Sequence, residues 1–308
     1  MSYKGGDKQK RRQHTGRKNH NRDKYSDEGG HHRQDNASES SEFSDARSIK
    51  VKVYEDTVEC FKYAPIDYSI PKPLFYTLEK LGEDKRDLVS ILKAGEKMQV
   101  FIENIDTLNL AKRLLDEGNT TSQHLMILNM ASKYKPGGGV RSGQAAQEEE
   151  LFRRSNLFQH LVQEYYELDN SDLILNRDVI VIKDSNYKLI PRSYKLCSLA
   201  VAALKNPPLK RDGTYQDPNH YTLMYNKIHA IFKIAYLNKM DTLVLGAIGS
   251  GCYHNPVDII AKIFREMVVK FDGCFKTVSF AVLCGRNTTN FDTFKEEVEH
   301  GFIADTRY

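Results

Sequence analysis

The sequence predicts an α/β fold in which helices cover both faces of a sheet. Short runs rich in Val, Leu and Ile recur along the chain and have the length of buried strands. Helical patterns separate several of these runs, an alternation that is typical of an α/β domain. The chain has 308 residues, 40% of them apolar, which is enough for a sizeable core.

The expected elements begin at residue 49, where the sequence becomes foldable. An alternating segment at 49–54 predicts a first strand, and residues 73–95 predict one or two helices. Asp106 or Thr107 is expected to cap a further helix. Other strands are expected at 99–103, 125–131, 178–182, 195–202, 241–246 and 276–283. Apolar faces of helices are expected at 221–235 and, after the acidic run at 148–150, at Leu151, Phe158, Leu161, Val162 and Tyr165.

A first glycine loop follows the expected strand at 125–131. Gly137, Gly138 and Gly139 lack a Cβ, so the backbone can adopt positive φ and approach a ligand closely. Their successive N–H groups can bind phosphate oxygens or ribose hydroxyls. A plain tight turn is the structural alternative.

Three carboxylates come after this loop, at the start of the next helix. The helix dipole favours Glu148, Glu149 and Glu150 there, whereas burial against a ligand raises a pKa and produces a general acid. Adjacent helical residues point about 100° apart, so only one or two of the three can face a ligand. A solvated cap is the alternative. The order of strand, glycines and carboxylates favours a phosphorylated sugar held beside an acid.

A second glycine loop, Gly246–Asn255, follows the expected strand at 241–246. Such a loop before a helix presents free N–H groups to an anion, which predicts a diphosphate ligand. No Lys-Ser or Lys-Thr pair follows the glycines and His254 stands where a third glycine would, so neither a Walker loop nor a dinucleotide fingerprint is present. Asn255 and Pro256 predict an N-cap and a first-turn proline.

The N-terminal segment has a different composition. Residues 1–33 carry ten Lys and Arg against four Asp and Glu, and a Ser- and Glu-rich stretch at 38–48 follows. With few apolar side chains, residues 1–48 are expected to be disordered. The basic cluster at 8–12 predicts contact with a polyanion or nuclear import, or else it is a solubilising tail.

Cysteine and hydropathy patterns exclude several classes of protein. The 5 cysteines form no Cys-x-x-Cys pair and the histidines are not at zinc spacing, so neither a disulfide framework nor a metal site is expected. No apolar run reaches transmembrane length, and no signal-peptide core is present. We therefore expect an intracellular protein, cytoplasmic or nuclear, that is neither secreted nor bound to a membrane. We also expect it to be a monomer.

The first glycine loop resembles the signature of microbial-type poly(ADP-ribose) glycohydrolases, which belong to the macrodomain superfamily. Three glycines, seven residues and then Gln147-Glu148-Glu149 form this pattern, and segments 128–132 and 151–155 are similar as well. The resemblance extends over about residues 50–285. It implies a three-layer α/β/α macrodomain-like mixed sheet with an N-terminal helical extension. Residues 49–308 would be the catalytic domain, with 49–98 as an accessory N-terminal part.

The resemblance also implies roles for individual residues. Glu149 would be the acid/base that cleaves ribose–ribose bonds, Glu148 would orient ribose hydroxyls, and Gln147 would position the pair. Asp106 would contact adenine, although helix capping is its alternative role. The other expected ADP-ribose ligands are Asn129, Gly137, Gly138, Gly139, Val140, Gly249, Ser250, Gly251, Cys252 and Tyr253. Poly(ADP-ribose) or ADP-ribosylated proteins would be the substrates, with no cofactor or metal.

Some positions depart from the family, and other functions stay open. Ile248, Ser250 and His254 replace a frequent Trp, Cys and Gly, which affects the expected loop shape and affinity but leaves the acid motif intact. Removal of mono-ADP-ribose from protein or nucleic acid is one rival function. A non-catalytic ADP-ribose reader is another, and the intact glutamates disfavour it because a reader needs no proton donor. A nucleic-acid-binding protein with a basic tail is a third.

Overall fold

The structure, a computed structural model, describes residues 32–63, 69–94, 96–284 and 289–300. The chain divides after Glu42, and the residues from Phe43 onward form one unit. The strands are β1 (Leu74–Thr77), β2 (Gln99–Glu103), β3 (Leu125–Met130), β4 (Asp172–Lys183), β5 (Leu189–Val201), β6 (Thr242–Leu245) and β7 (Thr277–Ala281). The α-helices are α1 (His32–Lys62), α2 (Leu78–Glu83), α3 (Thr107–Asp116), α4 (Gln147–Arg154), α5 (Leu157–His160), α6 (Pro218–Leu237), α7 (Val257–Lys270) and α8 (Asn290–Lys295).

All of the strands belong to one mixed sheet in the order β1-β4-β5-β3-β6-β7-β2. Strands β5, β3, β6, β7 and β2 are parallel to one another, whereas β4 is antiparallel to both β1 and β5. The mixed α/β fold expected from the sequence is confirmed. Strand β3 lies at the centre of the sheet, so the loop that follows it lies centrally too.

The two faces of β3 show the layering. Met126 and Leu128 belong to a core shared with α6 and α7, whereas Leu125 and Ile127 belong to a second core shared with α3 and α4. Successive side chains of a strand point to opposite faces, so the sheet separates two helical layers. This explains why the central strands are apolar almost throughout.

The first strand expected from the sequence, at 49–54, is wrong, because these residues lie inside α1. Tyr54, Thr57 and Phe61 are buried, and their spacing is that of one helix face. The alternation within 49–54 is thus part of a longer helical pattern. The ring of Tyr54 packs edge-on against Phe158, with the ring centres 6.1 Å apart.

The helices expected at 73–95 are correct only in part. Leu74–Thr77 is strand β1, because it pairs with the edge of β4. Thr77 then caps α2, where its side chain accepts a hydrogen bond from the Lys80 N–H at 3.4 Å. The strand expected at 99–103 is confirmed as β2.

The single amphipathic helix expected to continue from the acidic run to Tyr165 is also wrong. Helix α4 ends at Arg154, and Ser155 is extended and bridges to Val181 of β4. The Asn156 N–H donates to the Ile180 carbonyl at 3.0 Å, and the Ile180 N–H donates to the Asn156 side chain at 2.7 Å. Pairing with β4 therefore interrupts the helix before α5 begins.

Residue 48, expected to end a disordered segment, is not a boundary in the structure. Helix α1 begins at His32 and continues through this position. The basic cluster at 8–12 lies outside the described residues, as does the rest of 1–31. None of the described helices is long and apolar enough to cross a bilayer.

A buried polar network joins α1 to the rest of the domain. The Lys183 ammonium of β4 donates to the Asp56 carboxylate at 2.6 Å, the Thr57 hydroxyl at 2.8 Å and the Val53 carbonyl at 3.1 Å. Lys183 is 2% exposed, so its charge depends on these partners. The Thr57 hydroxyl also contacts the Arg153 carbonyl of α4. Helix α1 is therefore connected to the helix that carries the three glutamates.

We expect Thr57→Val to lower the free energy of unfolding by about 1–3 kcal/mol, because it keeps the shape and removes a buried hydroxyl that binds an ammonium. Chemical denaturation of the full chain measures this. Thr222→Val is the matched control, since Thr222 is an exposed helical threonine, and we expect no more than about 0.5 kcal/mol there. Equal effects of the two substitutions would show that the network does not stabilise the domain.

Candidate active site

Three loops meet at one edge of the sheet. They follow β5, β3 and β6, which are adjacent and parallel, so their carboxyl ends lie together. Open α/β sheets bind ligands at this edge. The first glycine loop follows β3 and the second follows β6, so the fold places both of them at the same edge.

The carboxylate of Glu148 is buried and held by backbone donors. Glu148 is 3% exposed, and it accepts hydrogen bonds from the N–H groups of Ser132 at 2.8 Å and Gly137 at 3.2 Å. Burial, together with the neighbouring charge of Glu149, raises the pKa of Glu148 to about 8, although the two N–H donors act in the opposite direction. Glu148 therefore binds a proton more tightly than an ordinary glutamate does.

The carboxylate of Glu149 lies beside it but keeps one free oxygen. Glu149 is 6% exposed, and its Oε1 accepts a hydrogen bond from the Gly139 N–H at 2.8 Å. Its Oε2 has no hydrogen-bond partner among the described residues. A Cβ atom on Gly138 would lie 2.6 Å from Oε1, and Gly138 has a φ of +50°. Only glycine lets the loop pass this close to the carboxylate.

The first glycine loop differs from the expectation that its amides are free for a ligand. The N–H groups of Gly137 and Gly139 donate to the two carboxylates, and that of Gly138 donates to the Lys135 carbonyl at 3.2 Å. The nearest anions to these amides are thus the glutamates of the following helix. This loop positions the acidic residues and leaves the ligand to other donors.

Gln147 connects the start of α4 to the end of β3. Its side-chain N–H donates to the Leu128 carbonyl at 2.6 Å, and its oxygen accepts from the Met130 N–H at 2.9 Å. Asn129 of the same strand is wholly buried, and its amide makes no hydrogen bond of normal geometry among the described residues, although it lowers the pKa of Glu148. The positioning role expected for Gln147 fits these contacts.

Glu150 turns away from the other two glutamates. Its carboxylate accepts hydrogen bonds from Arg153 at 3.0 Å and from the Tyr187 hydroxyl at 2.9 Å. Asp106 is likewise engaged: it caps α3 through the Asn109 N–H at 3.0 Å and pairs with Arg154 at 2.7 Å. The capping role expected for Asp106 is confirmed.

The second glycine loop is braced by Asn255. The sequence predicted Asn255 as the N-cap of α7, but Pro256 is the cap and the asparagine side chain turns into the loop instead. Its amide donates to the carbonyls of Leu204 at 2.8 Å and Gly249 at 3.2 Å, and its oxygen accepts from the Tyr215 hydroxyl at 2.8 Å. The side chain of Asn255 therefore fixes the conformation of the second glycine loop through these hydrogen bonds.

Several amides of this second loop are available to a ligand. The N–H groups of Gly249, Gly251, Cys252 and Tyr253 make no hydrogen bond within the described part of the chain, whereas that of Ser250 is used inside the loop. Gly249 has a φ of +76°, which directs successive amides to one side. This loop, unlike the first, keeps the donors that a diphosphate needs.

Sequence reasoning missed several polar residues of the site. Ser132 supplies the shortest hydrogen bond to Glu148, and Tyr215 orients Asn255. The Tyr166 hydroxyl is buried without a partner among the described residues, and burial together with the charge of Glu148 raises its pKa. Ser132 has one visible signal, because it follows β3 directly. Tyr166 and Tyr215 lie in irregular segments that carry none.

The site therefore combines two buried carboxylates and a loop of amides that can bind a diphosphate, and within the described residues one carboxylate oxygen and these amides have no hydrogen-bond partner. Proton transfer beside a bound phosphorylated sugar is the chemistry that these groups support. Among the described residues, no three His, Cys, Asp or Glu side chains are grouped as a metal site requires. The fold and the site fit the class of α/β enzymes that use acid/base chemistry on a phosphorylated sugar.

Comparisons with known proteins make the class specific. The family model for the catalytic domain of microbial-type PARG, the poly(ADP-ribose) glycohydrolases, matches residues 63–182, which include the first glycine loop and Glu148 to Glu150. The structure is similar to poly(ADP-ribose) glycohydrolase from Thermomonospora curvata, with a TM-score of 0.68 and 23% identity, covering 81% of this chain and 99% of that one. No curated protein matches the chain.

A second solved structure, that of poly(ADP-ribose) glycohydrolase from Deinococcus radiodurans in complex with ADP-ribose, is also similar. Its TM-score is 0.64 at 26% identity, covering 75% of this chain and 95% of that one. Residues 63–182 are thus similar to the catalytic domain of the microbial-type poly(ADP-ribose) glycohydrolases, and the fold is similar to that of the two solved structures.

The raised pKa of Glu148 predicts a pH dependence of stability. The folded protein keeps a proton up to about pH 8 that the unfolded chain releases near its ordinary pKa of 4.5, so this group stabilises less as the pH rises. Between pH 6.5 and 8 we expect a fall of roughly 1–2 kcal/mol in the free energy of unfolding.

Denaturation curves of wild type and Glu148→Gln across this range measure the effect. The fall should be absent in Glu148→Gln and should persist in Glu164→Gln, which alters an exposed glutamate. The slope rather than the absolute stability decides the outcome. A Glu148→Gln variant with the wild-type slope would show that Glu148 has no raised pKa.

Proposed function

We propose that this chain is a poly(ADP-ribose) glycohydrolase that cleaves ribose–ribose O-glycosidic bonds and releases ADP-ribose. The observation that carries the proposal is the free Oε2 of Glu149 in a buried site that also contains a loop of unused amides. The family match supports it, as do related structures: one from Deinococcus radiodurans is in complex with ADP-ribose, and one from Thermomonospora curvata is bound to the inhibitor ADP-HPD.

Glu149 is the proposed general acid and base. The bond breaks through an oxocarbenium-like transition state, and protonation of the leaving ribose oxygen assists it. Oε2 of Glu149 donates this proton, and the resulting carboxylate then takes a proton from the water that attacks the anomeric carbon. Oε1 stays on the Gly139 N–H, so the side chain keeps one orientation through both steps.

Glu148 has the raised pKa of an acid, but its geometry favours a positioning role. Each of its oxygens already accepts a backbone N–H, whereas Glu149 has an oxygen without a partner among the described residues. A single proton shared by the two carboxyl groups would also avoid placing two full charges side by side in a buried site, and on Oε2 of Glu149 it is available to the leaving oxygen. We assign to it the orientation of ribose hydroxyls and of the neighbouring glutamate.

The second loop is the proposed diphosphate site. The N–H groups of Gly249, Gly251, Cys252 and Tyr253 would bind the phosphate oxygens, whose charge lies near the cationic ribose and lowers its energy. Asn129, Gly137, Gly138, Gly139, Val140 and Ser250 stay in the proposal as surfaces that contact the ligand. The glycines of the first loop would pack against the ligand with their backbone atoms, because the amides of Gly137 and Gly139 are already hydrogen-bonded to the glutamates.

The wider setting of the activity remains predicted. The proposed substrates are ADP-ribosylated molecules, and within this class we propose poly(ADP-ribose). Contact of the basic cluster at 8–12 with a polyanion, a monomeric state and an intracellular location stay predictions.

Release of ADP-ribose from poly(ADP-ribose) tests the function, with wild type compared with Glu149→Gln, Glu148→Gln and Glu150→Gln. We expect Glu149→Gln to lower kcat roughly 10²–10⁴-fold while it still binds ADP-ribose, because glutamine keeps the shape and cannot donate the proton. Glu148→Gln, unlike Glu149→Gln, should weaken ADP-ribose binding, because the glutamine amide cannot accept both backbone hydrogen bonds. Glu150→Gln is the adjacent control and should stay within a few fold of wild type.

Three other outcomes would contradict parts of the proposal. Full loss in Glu148→Gln with an active Glu149→Gln would exchange the two roles. Release from mono-ADP-ribosylated protein alone would replace the polymer as substrate. If wild type binds ADP-ribose but releases it from neither substrate, the protein is a non-catalytic ADP-ribose reader.

A further inference from the structure

A basic and aromatic cluster, made of Tyr134, Lys205 and Tyr253 and here called the rim, lies beside the two carboxylates. Its members come from the loops after β3, β5 and β6. The Lys205 ammonium is 5.2 Å from the ring centre of Tyr134 and 6.0 Å from that of Tyr253. These distances are those of cation–π contacts, so one lysine joins two rings across the mouth of the site.

Backbone hydrogen bonds hold the rim in place. The Asn206 N–H, next to Lys205, donates to the Tyr253 carbonyl at 2.9 Å, which fixes the loop after β5 to the second glycine loop. The Tyr134 N–H donates to the Ser132 hydroxyl at 3.2 Å, and Ser132 in turn binds Glu148. The rim is therefore attached to the acidic residues themselves.

No carboxylate in the described part of the chain neutralises the charge of the rim. Among the described residues, Lys205 forms no ion pair with a carboxylate, and Lys133 and Lys135 flank Tyr134 in the chain without one either. Tyr134 is 46% exposed, so part of its ring surface is accessible to a ligand. An exposed cation beside an exposed ring offers charge to a phosphate and a stacking face to a base.

The position of the rim follows from the direction in which a polymer leaves the site. In the proposed function, the leaving ribose oxygen faces Oε2 of Glu149, and the rest of the polymer continues from that oxygen. Tyr134 is hydrogen-bonded to Ser132, whose N–H donates to Glu148, and Tyr253 belongs to the loop of free amides, so the rim borders both the carboxylates and this loop. The rim is thus the surface that the polymer meets next.

We propose that Tyr134 and Lys205 form a subsite for the ADP-ribose unit on the leaving-group side of the cleaved bond, with the ring of Tyr253 holding Lys205 at the border of the second glycine loop. Lys205 binds a phosphate oxygen of that unit, and the exposed ring of Tyr134 stacks on its adenine. This inference rests on the proposed function and makes it more specific, because only a substrate with at least two ADP-ribose units fills the subsite.

The test measures binding of poly(ADP-ribose) and of free ADP-ribose to the full chain in a Glu149→Gln background, which prevents turnover. We expect Lys205→Gln to weaken polymer binding roughly 3–10-fold and to leave the Kd of free ADP-ribose unchanged. The slope of log Kd against log salt for the polymer should fall by about 0.7, as expected when the protein neutralises one phosphate fewer on a single strand. Tyr134→Ala should also weaken binding of the polymer and leave the Kd of free ADP-ribose unchanged.

Two controls keep the test specific. Lys205→Arg keeps the cation and should bind the polymer as the parent does. Lys210→Gln removes another exposed lysine of the same loop and should change neither affinity.

Two outcomes would overturn the subsite. Equal weakening of free ADP-ribose and polymer by Lys205→Gln would place Lys205 at the terminal unit. Unchanged polymer binding in Lys205→Gln and Tyr134→Ala would remove the subsite. Both measurements are independent of turnover, whereas failure of wild type to release ADP-ribose would instead reject the proposed function.

Discussion

The site depends on one constraint: two adjacent carboxylates are buried next to a loop that has no side chains where it meets them. Gly137 and Gly139 donate their amides to Glu148 and Glu149, and Gly138 passes between with no room for a Cβ. Backbone amides bind carboxylates without adding charge, so they stabilise the pair and still allow a proton to be held. The three glycines therefore prepare the acid, and the second loop is left to bind the ligand.

The rest of the domain supports this arrangement from behind. Arg153 of α4 is wholly buried; it pairs with Glu150 and donates to the carbonyl of Lys50 on α1. Lys183 of β4 holds α1 against the domain through a second set of hydrogen bonds. Because both ends of α4 are fixed, Gln147 at its start and Arg153 at its end, the glutamates between them have a defined orientation. Helix α1 thus contributes to the site without touching it.

The sequence predicted the central strands, both glycine loops and the acidic run, because each has a strong local pattern. It failed where tertiary pairing decides the outcome. Helix α4 ends at Arg154 because Ser155 and Asn156 pair with β4. The segment 49–54 is helical because the buried face to which it belongs continues to Phe61. Asn255 has the sequence of a cap but is used inside its loop. That Oε2 of Glu149 has no partner among the described residues is visible only in three dimensions.

The most direct test of the central claim is the turnover of poly(ADP-ribose) by Gly138→Ala, compared with Gly118→Ala. Both glycines have positive φ, +50° and +72°, so both substitutions strain the backbone, but only at Gly138 does the new Cβ displace the Glu149 carboxylate, since nothing lies within 4 Å at Gly118. We expect kcat to fall on the order of 10²-fold in Gly138→Ala and to change little in Gly118→Ala. Equal turnover by the two variants would contradict the claim that this loop positions the acid.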